Sequence, residues 1–482
     1  MQPVWRQGAG RSHRFYLRRR CDDGGADLTI ADPADPVRQS DAAVSGGHAT
    51  FRQLLRAILA LAAPTSLVAL LQIIAQLAET WIAARQGTAA LAGWAVVLPF
   101  ALLLQQMSTG AMGGGVVSAI ARALGAGRTQ EASALVLHAL LIATAAGAVF
   151  AIGLAAFPRQ VLGAIGGATA ADAAAVYAMW LFGLGAIPAW LANTLASVLR
   201  GGGRHGLAAR VLTIAWAVLP VLGWVLAEPM RLGLPGLGMA YALVNGTAAL
   251  AMLLVVLRGG AGFIPDLRIW PSLVLFRRIL AVGLVASMLA AIANLTTILV
   301  TARIAHHGAA AVAAYGISAR LEFLMIPLAF GVGSALTALV GHAVGAGDWA
   351  TARRLAWIGG LMTLLVAGTV GITVGAAPAM FAALFTSDPE VLRIATRALT
   401  FIAPAFGAFG LGMALYFASM GAGRMAWPVG GAVSRIGLAV GGGWLLADVA
   451  GLGLDGQFAA VAAGITAYGL VTALGVRGRV WS

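Results

Sequence analysis

The chain has 482 residues, of which 60% are hydrophobic and 10% are charged, and its mean hydropathy is +0.90. Soluble domains carry about 25% charged residues, so this composition excludes a water-soluble protein and indicates a polytopic membrane protein. All 31 basic residues are arginines and the net charge is +14; because the arginines are spread between apolar segments, we expect no nucleic-acid partner. The single cysteine, Cys21, excludes an internal disulfide, and the scattered histidines predict no metal site and no cofactor.

Residues 1–50 differ in composition from the rest of the chain. They contain seven arginines and six aspartates and show no helical periodicity. They also lack the apolar core of about 7–15 residues that a secretory signal requires. We predict either a disordered cytoplasmic tail or a translation start that lies upstream of the native one.

Twelve apolar segments follow, each long enough for a membrane helix, which needs about 20 residues. The first six cover residues 57–83, 91–120, 132–157, 173–198, 208–228 and 235–257. The other six cover residues 279–305, 312–342, 355–382, 393–419, 427–449 and 457–476. The longest connection, residues 258–278, is rich in Gly and Pro. We predict that it is a cytoplasmic linker between an N-lobe, residues 51–257, and a C-lobe, residues 279–482.

The arginines indicate how these segments are oriented. After the N-terminal region, most of them lie in the even-numbered connections or after the last segment, as do Arg200, Arg204, Arg353, Arg435 and Arg477. By the positive-inside rule, both termini are predicted to be cytoplasmic. The abundance of Ala and Gly and the absence of lysine are typical of a GC-rich bacterial genome, so we expect a multi-pass protein of the cell inner membrane.

The second half of the chain repeats the first at a shift of about 220 residues. Residues 87–94 read GTAALAGW and residues 308–315 read GAAAVAAY, and the Gly-Ala-Gly loop at 125–127 reappears at 345–347. Six-helix units that start on the same side are parallel repeats, related by a pseudo-two-fold axis along the membrane normal. We therefore predict an all-α membrane protein with twelve transmembrane helices in two six-helix lobes, a common plan of secondary transporters.

Acidic residues within the spans point to ion coupling. Glu79 lies in the first span, where an ionisable group costs about 2.5–3.5 kcal/mol and so indicates function. Gln72, Gln76 and Glu79 share one helical face. A carboxyl group partly withdrawn from water there can exchange a proton, or attract a cation when ionised, so we predict an ion-coupling site at these three residues. The alternative is that Glu79 lies at the outer headgroups, solvated or paired with Arg85.

The seventh span is the counterpart of the first. Asn294, Thr297 and Thr301 share one of its faces, and Val300 stands where the first span has Glu79. This face is polar but uncharged, so we expect ion coupling to reside mainly in the N-lobe. The alternative role for these residues is hydrogen bonding between helices.

Further polar residues in the spans predict the lining of a solute cavity. Glu322 and Arg320 are two residues apart on one helix and do not face each other, so each is expected to meet another helix or a water-filled cavity. A structural network and a gating role are both open for Glu322. The predicted cavity residues are Asn193, Tyr241, Asn245, Asn294, Thr297, Thr301, Arg320 and Glu322.

Three stretches resemble the multidrug and toxic compound extrusion (MATE) family, and the resemblance covers residues 54–476. The sequence from Glu79 to Ala92 is similar to the family's Asp-Thr…Gly-Arg-x-Gly pattern at the end of the first span. The two Gly-Ala-Gly loops and the Arg-Gly-Gly-Gly-Arg loop at 200–204, echoed at 420–424, are the others. The chain departs from the family in having Glu79 in place of aspartate and His342 in place of glutamine before the second Gly-Ala-Gly loop.

The resemblance implies antiport of a solute, often a cationic or amphipathic drug, against protons or sodium. We therefore expect a secondary active efflux transporter, not an enzyme, that works by alternating access of two lobes. Its expected partners are an organic solute, protons or sodium, and the lipid bilayer, with no obligate protein partner. Open alternatives are a lipid-linked-sugar flippase of the same superfamily, a channel, and an integral membrane enzyme, which would need a His/Asp or Ser/His cluster.

Overall fold

The computed structural model describes residues 50–477 and Trp481. The predicted tail, residues 1–50, lies outside the described residues except for Thr50. The described residues form helices and their connections, without a β-strand among them. Within this part of the chain, eleven helices are long and apolar enough to cross a membrane, and one further span consists of two helices bent by 43°. The predicted all-α, multi-pass architecture is confirmed.

The helices of the first half are α1 (Phe51–Arg85), α2 (Thr88–Gly125), α3 (Thr129–Ala156), α4 (Pro158–Ala178, Met179–Leu184 and Ala186–Gly201), α5 (His205–Ala227) and α6 (Leu234–Leu257). Those of the second half are α7 (Leu273–Ala305), α8 (Ala309–Gly345), α9 (Trp349–Ala376), α10 (Pro389–Ala422), α11 (Ala426–Val449) and α12 (Gly453–Arg477). A short helix, Pro378–Ala383, precedes α10.

Each predicted span overlaps one of these helices, although the ends differ. Helix α7 begins at Leu273 rather than at residue 279, so the connection from α6 is shorter than the predicted linker. Most helices extend past the predicted ends because Ala and Arg at the membrane surface are good helix formers. Helix α9 ends early, at Ala376, because the residue before Pro378 is disfavoured in the helical conformation.

Three π-helical turns are described in the N-lobe, and two of them interrupt a helix, whereas the third, Ile152–Ala156, ends α3. One, Met107–Ala111, lies in α2, and the other, Met179–Leu184, lies in α4 just before the bend at Gly185. A Cβ atom on Gly185 would lie 2.8 Å from the ring of Tyr241 on α6, so only glycine lets α4 bend this close to α6. Such turns insert an extra residue and are frequent at functional sites.

Each half of the chain has its own apolar core. The largest cluster of buried side chains runs from Val68 to Ile279, and the second from Val300 to Tyr468. Helix α1 contributes to both halves: Leu54 and Ile58 pack with buried side chains of α8, α9 and α10, whereas the residues from Val68 onward belong to the first core.

The two lobes contact each other at the helix ends that carry the even-numbered connections. The Ser118 hydroxyl of α2 donates a hydrogen bond to the Met420 carbonyl of α10 at 2.5 Å, and the Arg122 guanidinium donates to the Gly421 carbonyl at 3.1 Å. A Cβ atom on Gly115 would lie 2.8 Å from a backbone carbonyl oxygen of α7. The glycines of α2 thus allow the close helix packing that membrane proteins use in place of large apolar contacts.

Candidate functional site

A small pocket lies inside the N-lobe, between α1, α2, α4, α5 and α6. Its volume is about 30 Å³, which leaves room for one or two water molecules. Drug-sized ligands occupy pockets of roughly 300–1,000 Å³, so this pocket suits an ion or water rather than an organic solute. It is lined by Gln76, Glu79, Trp94, Leu98, Ala101, Leu102, Gln105, Tyr177, Leu181, Trp216 and Tyr241.

Glu79 is the acidic side chain of this pocket, which we call the N-lobe pocket. It is half-buried, and among the described residues no hydrogen bond or ion pair satisfies its carboxylate. Arg85 is engaged elsewhere: its Nε donates to Glu228 Oε1 at 2.8 Å, and its guanidinium lies 4.8 Å from the ring centre of Trp81. The structure therefore does not contain the pairing of Glu79 with Arg85 that the sequence left open.

The surroundings of Glu79 are apolar and aromatic, with few polar groups. Tyr177 and Tyr241 are buried, and Trp94 and Trp216 complete the aromatic wall. A carboxylate that is withdrawn from water without a cationic partner is destabilised. It can be neutralised by taking up a proton or by binding a cation, so the N-lobe pocket has the chemistry of an exchangeable cation site.

A chain of amide and hydroxyl groups leads away from the N-lobe pocket. Gln105, which lines the pocket, donates from Nε2 to the Thr109 hydroxyl at 3.0 Å. Asn193 is buried and donates from Nδ2 to the Ser108 hydroxyl at 2.9 Å and to Gln105 Oε1 at 3.4 Å. Ser108 and Thr109 belong to the π-helical turn of α2. The predicted residue Asn193 is thus connected to the pocket through Gln105 without lining it.

Of the other residues predicted for the N-lobe, some line the pocket and others do not. Gln76 lines the pocket together with Glu79, whereas Gln72, one turn earlier, does not. Tyr241 lines it as well, but Asn245 donates its amide to the Tyr241 carbonyl within α6 at 2.9 Å. Asn245 is therefore satisfied by its own helix, a bond that Asn side chains in membrane helices can make locally.

The predicted C-lobe residues lie outside the N-lobe pocket. Asn294, Thr297 and Thr301 each donate to a carbonyl one turn earlier in α7, and Arg320 is exposed on α8. Val300, the counterpart of Glu79, is fully buried in the C-lobe core. A polar stripe can be satisfied within its own helix, so its presence in a sequence does not establish a cavity.

Glu322 is paired with Arg435 of α11. The two side chains are only 11% and 12% exposed, and the Arg435 guanidinium also lies 5.4 Å from the ring centre of Phe409. Arg435 lies within the eleventh span, predicted at 427–449, and not in the tenth connection with which the arginine pattern grouped it, because α11 begins at Ala426 and carries Arg435 in its third turn. Its burial is possible because Glu322 neutralises its charge.

Among the lining residues with a polar or aromatic side chain, four were not predicted site residues: Trp94, Gln105, Tyr177 and Trp216. Trp94 ends the repeated stretch GTAALAGW, and Gln105 is a polar residue in an apolar span, so each carried a signal in the sequence. Tyr177 and Trp216 carried none, because helical periodicity does not reveal which helices lie opposite each other.

The sequence matches a family model twice. Residues 64–225 and residues 284–445 each match the MatE family model, and the two matches are offset by 220 residues, as the internal repeat predicts. Because the matches cover more than half of the chain, the chain belongs to the MatE family. The resemblance found in the sequence is confirmed. No curated protein matches the chain.

Solved structures share the fold. A MOP superfamily transporter from Pyrococcus furiosus, described as having a binding pocket of reverse polarity that suggests a different function, has a TM-score of 0.80 and 22% identity over 89% of this chain and 97% of its own. A MATE transporter of Vibrio cholerae in a bent form has a TM-score of 0.80 and 20% identity, over 88% and 97%. An outward-facing multidrug resistance MATE transporter has a TM-score of 0.80 and 22% identity, over 89% and 97%. These likenesses establish the two-lobe fold.

Proposed function

We propose that this protein is a secondary active efflux transporter that exchanges protons for an organic solute. The observation that carries the proposal is the carboxyl group of Glu79, half-buried in the N-lobe pocket without a cationic partner among the described residues. Intramembrane carboxylates of this type are typical of proton relays in transporters. The members of the MatE family are transporters, and a carboxyl group of this kind gives this one a means of coupling.

The exchange follows from the two charge states of Glu79. The protonated carboxyl group is neutral and can be enclosed by the aromatic wall of the pocket at small cost. The ionised carboxylate requires water or a cation, and therefore favours a conformation in which the pocket is open to one of them. A proton and a cationic solute then compete for the same negative charge, in different conformations of the lobes.

The contacts between the lobes support a conformation that is open on one side. The hydrogen bonds from Ser118 and Arg122 to α10 join the lobes at the even-numbered connections. This is the side that the positive-inside rule assigns to the cytoplasm. On that orientation, the described conformation is closed toward the cytoplasm, as expected for the state that releases solute outside and takes up a proton.

The proposed solute is cationic or amphipathic, because the pocket offers a negative charge and aromatic faces. A multidrug resistance transporter is among the structures with this fold, which supports the same class of solute. The pocket as described is too small for such a molecule, so we propose that the solute meets the Glu79 charge in a conformation in which the pocket opens toward the space between the lobes. The proposed location of the protein is the cell inner membrane, with both termini in the cytoplasm.

The proposal is tested in everted vesicles that hold a pH gradient reported by a fluorescent dye. Wild-type protein should dissipate the gradient when lipophilic cations are added. Glu79→Gln, which removes the charge and keeps the shape, should lower this response at least tenfold. Glu390→Gln is the matched control, because Glu390 is an exposed residue in the first turn of α10 and should leave the response unchanged.

Two outcomes would change the proposal. A Glu79→Gln response equal to wild type, with the same pH dependence, would remove Glu79 from the coupling mechanism. A wild-type response that appears only with a sodium gradient would replace the proton by sodium as the coupling ion.

A further inference from the structure

A second, larger cavity lies where α1 and α12 meet α9. Its volume is about 630 Å³, roughly the size of a site for an organic ligand. It is lined by Phe51, Leu54, Ala350, Arg353, Arg354, Trp357, Ile358, Val476 and Arg477. Three of these residues are arginines and none is acidic, so the cavity combines positive charge with apolar walls.

The arginines of this cavity are not neutralised by the described residues. Within that part of the chain, no carboxylate forms an ion pair with Arg353, Arg354 or Arg477. The nearest acidic residue in sequence, Asp348, caps α9 by accepting a hydrogen bond from the Thr351 amide at 2.9 Å. The guanidinium groups therefore have no anionic partner among the described residues.

The cavity lies at the depth of lipid headgroups. It is formed by the first turns of α1 and α9 and the last turn of α12. Helix α9 has 28 residues and is thus roughly 42 Å long, which exceeds the hydrocarbon core of about 30 Å. Its first turns consequently reach into the headgroup region, on the side that the arginine distribution assigns to the cytoplasm.

We propose that this cavity binds the headgroup phosphate of an anionic phospholipid. Guanidinium groups recognise phosphate oxygens with paired, directional hydrogen bonds. Trp357 is 39% exposed and Phe51 is 60% exposed, and both offer apolar surface to the upper part of an acyl chain. Aromatic side chains are favoured at this depth of the membrane, and basic cavities between helices on this side are suited to anionic headgroups.

The test is lipid retention by the purified full-length protein, measured by native mass spectrometry with phosphatidylglycerol and phosphatidylcholine of equal chain length. Wild-type protein should retain phosphatidylglycerol in preference to phosphatidylcholine. Arg353→Ala combined with Arg354→Ala should weaken that preference about tenfold or more, since each basic residue near the surface contributes roughly 1 kcal/mol and 1.4 kcal/mol is tenfold.

The matched control is Arg210→Ala combined with Arg258→Ala. These exposed arginines lie at the start of α5 and the end of α6, on the same side of the molecule and outside the cavity. An equal loss in both double variants would show general surface attraction and overturn the proposal. So would an absence of preference in wild-type protein, or displacement of the lipid by inorganic phosphate alone. If the alanine pair does not fold, the corresponding glutamine pair removes the same charge and should give the same tenfold loss.

Discussion

At the scale of single residues, the carboxyl groups of Glu79 in the N-lobe and Glu322 in the C-lobe have different surroundings. In the N-lobe, Glu79 has no cation beside it among the described residues, and the pocket around it admits water or an ion. In the C-lobe, Glu322 is neutralised by Arg435 in a largely buried pair. The charge of Glu322 is compensated from within the protein, so the proposed coupling through Glu79 and the structural support through Glu322 are separate roles.

The structural role of Glu322 can be measured. Glu322→Gln should lower the free energy of unfolding by about 3–5 kcal/mol, because it leaves the Arg435 charge buried without a partner. Replacing both residues, as Glu322→Leu with Arg435→Met, should recover most of that loss. The measurement is unfolding of the purified protein in mixed detergent micelles. Equal destabilisation by the single and the double change would contradict this account.

The sequence indicated Glu79 but not most of its surroundings. An acidic residue inside an apolar span is conspicuous because burying it is costly, and Gln76 follows from helical spacing. Tyr177 and Trp216 could not be assigned, because they reach the pocket from α4 and α5, and the sequence does not reveal how those helices are arranged. The sequence also did not reveal what neutralises the charge of Arg435, because its partner Glu322 is 113 residues away in the chain.

At the scale of helices, α2 is the element that serves both the pocket and the lobe contact. Its middle carries Gln105 and the π-helical turn Met107–Ala111, and its last third packs against α7, α8 and α10. Apolar length and the internal repeat predicted the number of helices and their order. They could not predict the π-helical turns, because hydrogen-bond shifts of one residue leave no clear mark on hydrophobic periodicity.

The packing of α2 against α7 predicts an effect of a single methyl group. In Gly115→Ala, the new Cβ would lie 2.8 Å from a carbonyl oxygen and 2.9 Å from the Gly283 nitrogen, so the helices must separate. We expect the described conformation to lose about 1–3 kcal/mol, seen as lower thermal stability and slower transport.

The control for Gly115→Ala lies in the same helix. A Cβ atom on Gly110 would have no neighbouring atom within 4 Å, so Gly110→Ala should be tolerated. Equal effects of the two substitutions would mean that the close approach of α2 and α7 does not limit either stability or transport.

At the scale of the whole molecule, the proposed alternating access requires the lobe contact to open. A Cβ atom on Gly341 of α8 would lie 3.0 Å from the Ala121 Cβ of α2, and a disulfide needs only a small separation from there, to roughly 3.5–4.5 Å. In a Cys21→Ser background, Ala121→Cys combined with Gly341→Cys should therefore form a disulfide between the lobes under oxidation. Oxidised protein should transport at less than about a tenth of the reduced rate, because the bond prevents the lobes from separating.

Reduction should restore transport by the cross-linked protein, and each single cysteine variant should be insensitive to the oxidant. Full transport by protein shown on gels to be cross-linked would mean that this side of the molecule stays closed throughout the cycle. Lobe separation at the even-numbered connections would then be excluded as part of the mechanism.

The neutralisation of Glu322 by Arg435 has an electrical consequence. With the C-lobe carboxylate compensated from within the protein, the proposed exchange has one negative charge to fill, at Glu79. One proton entering for one monovalent cation leaving transfers no net charge across the bilayer. Such an exchange is electroneutral: it responds to the difference in pH and is indifferent to the membrane voltage, whereas export of a neutral solute by the same site would carry a current.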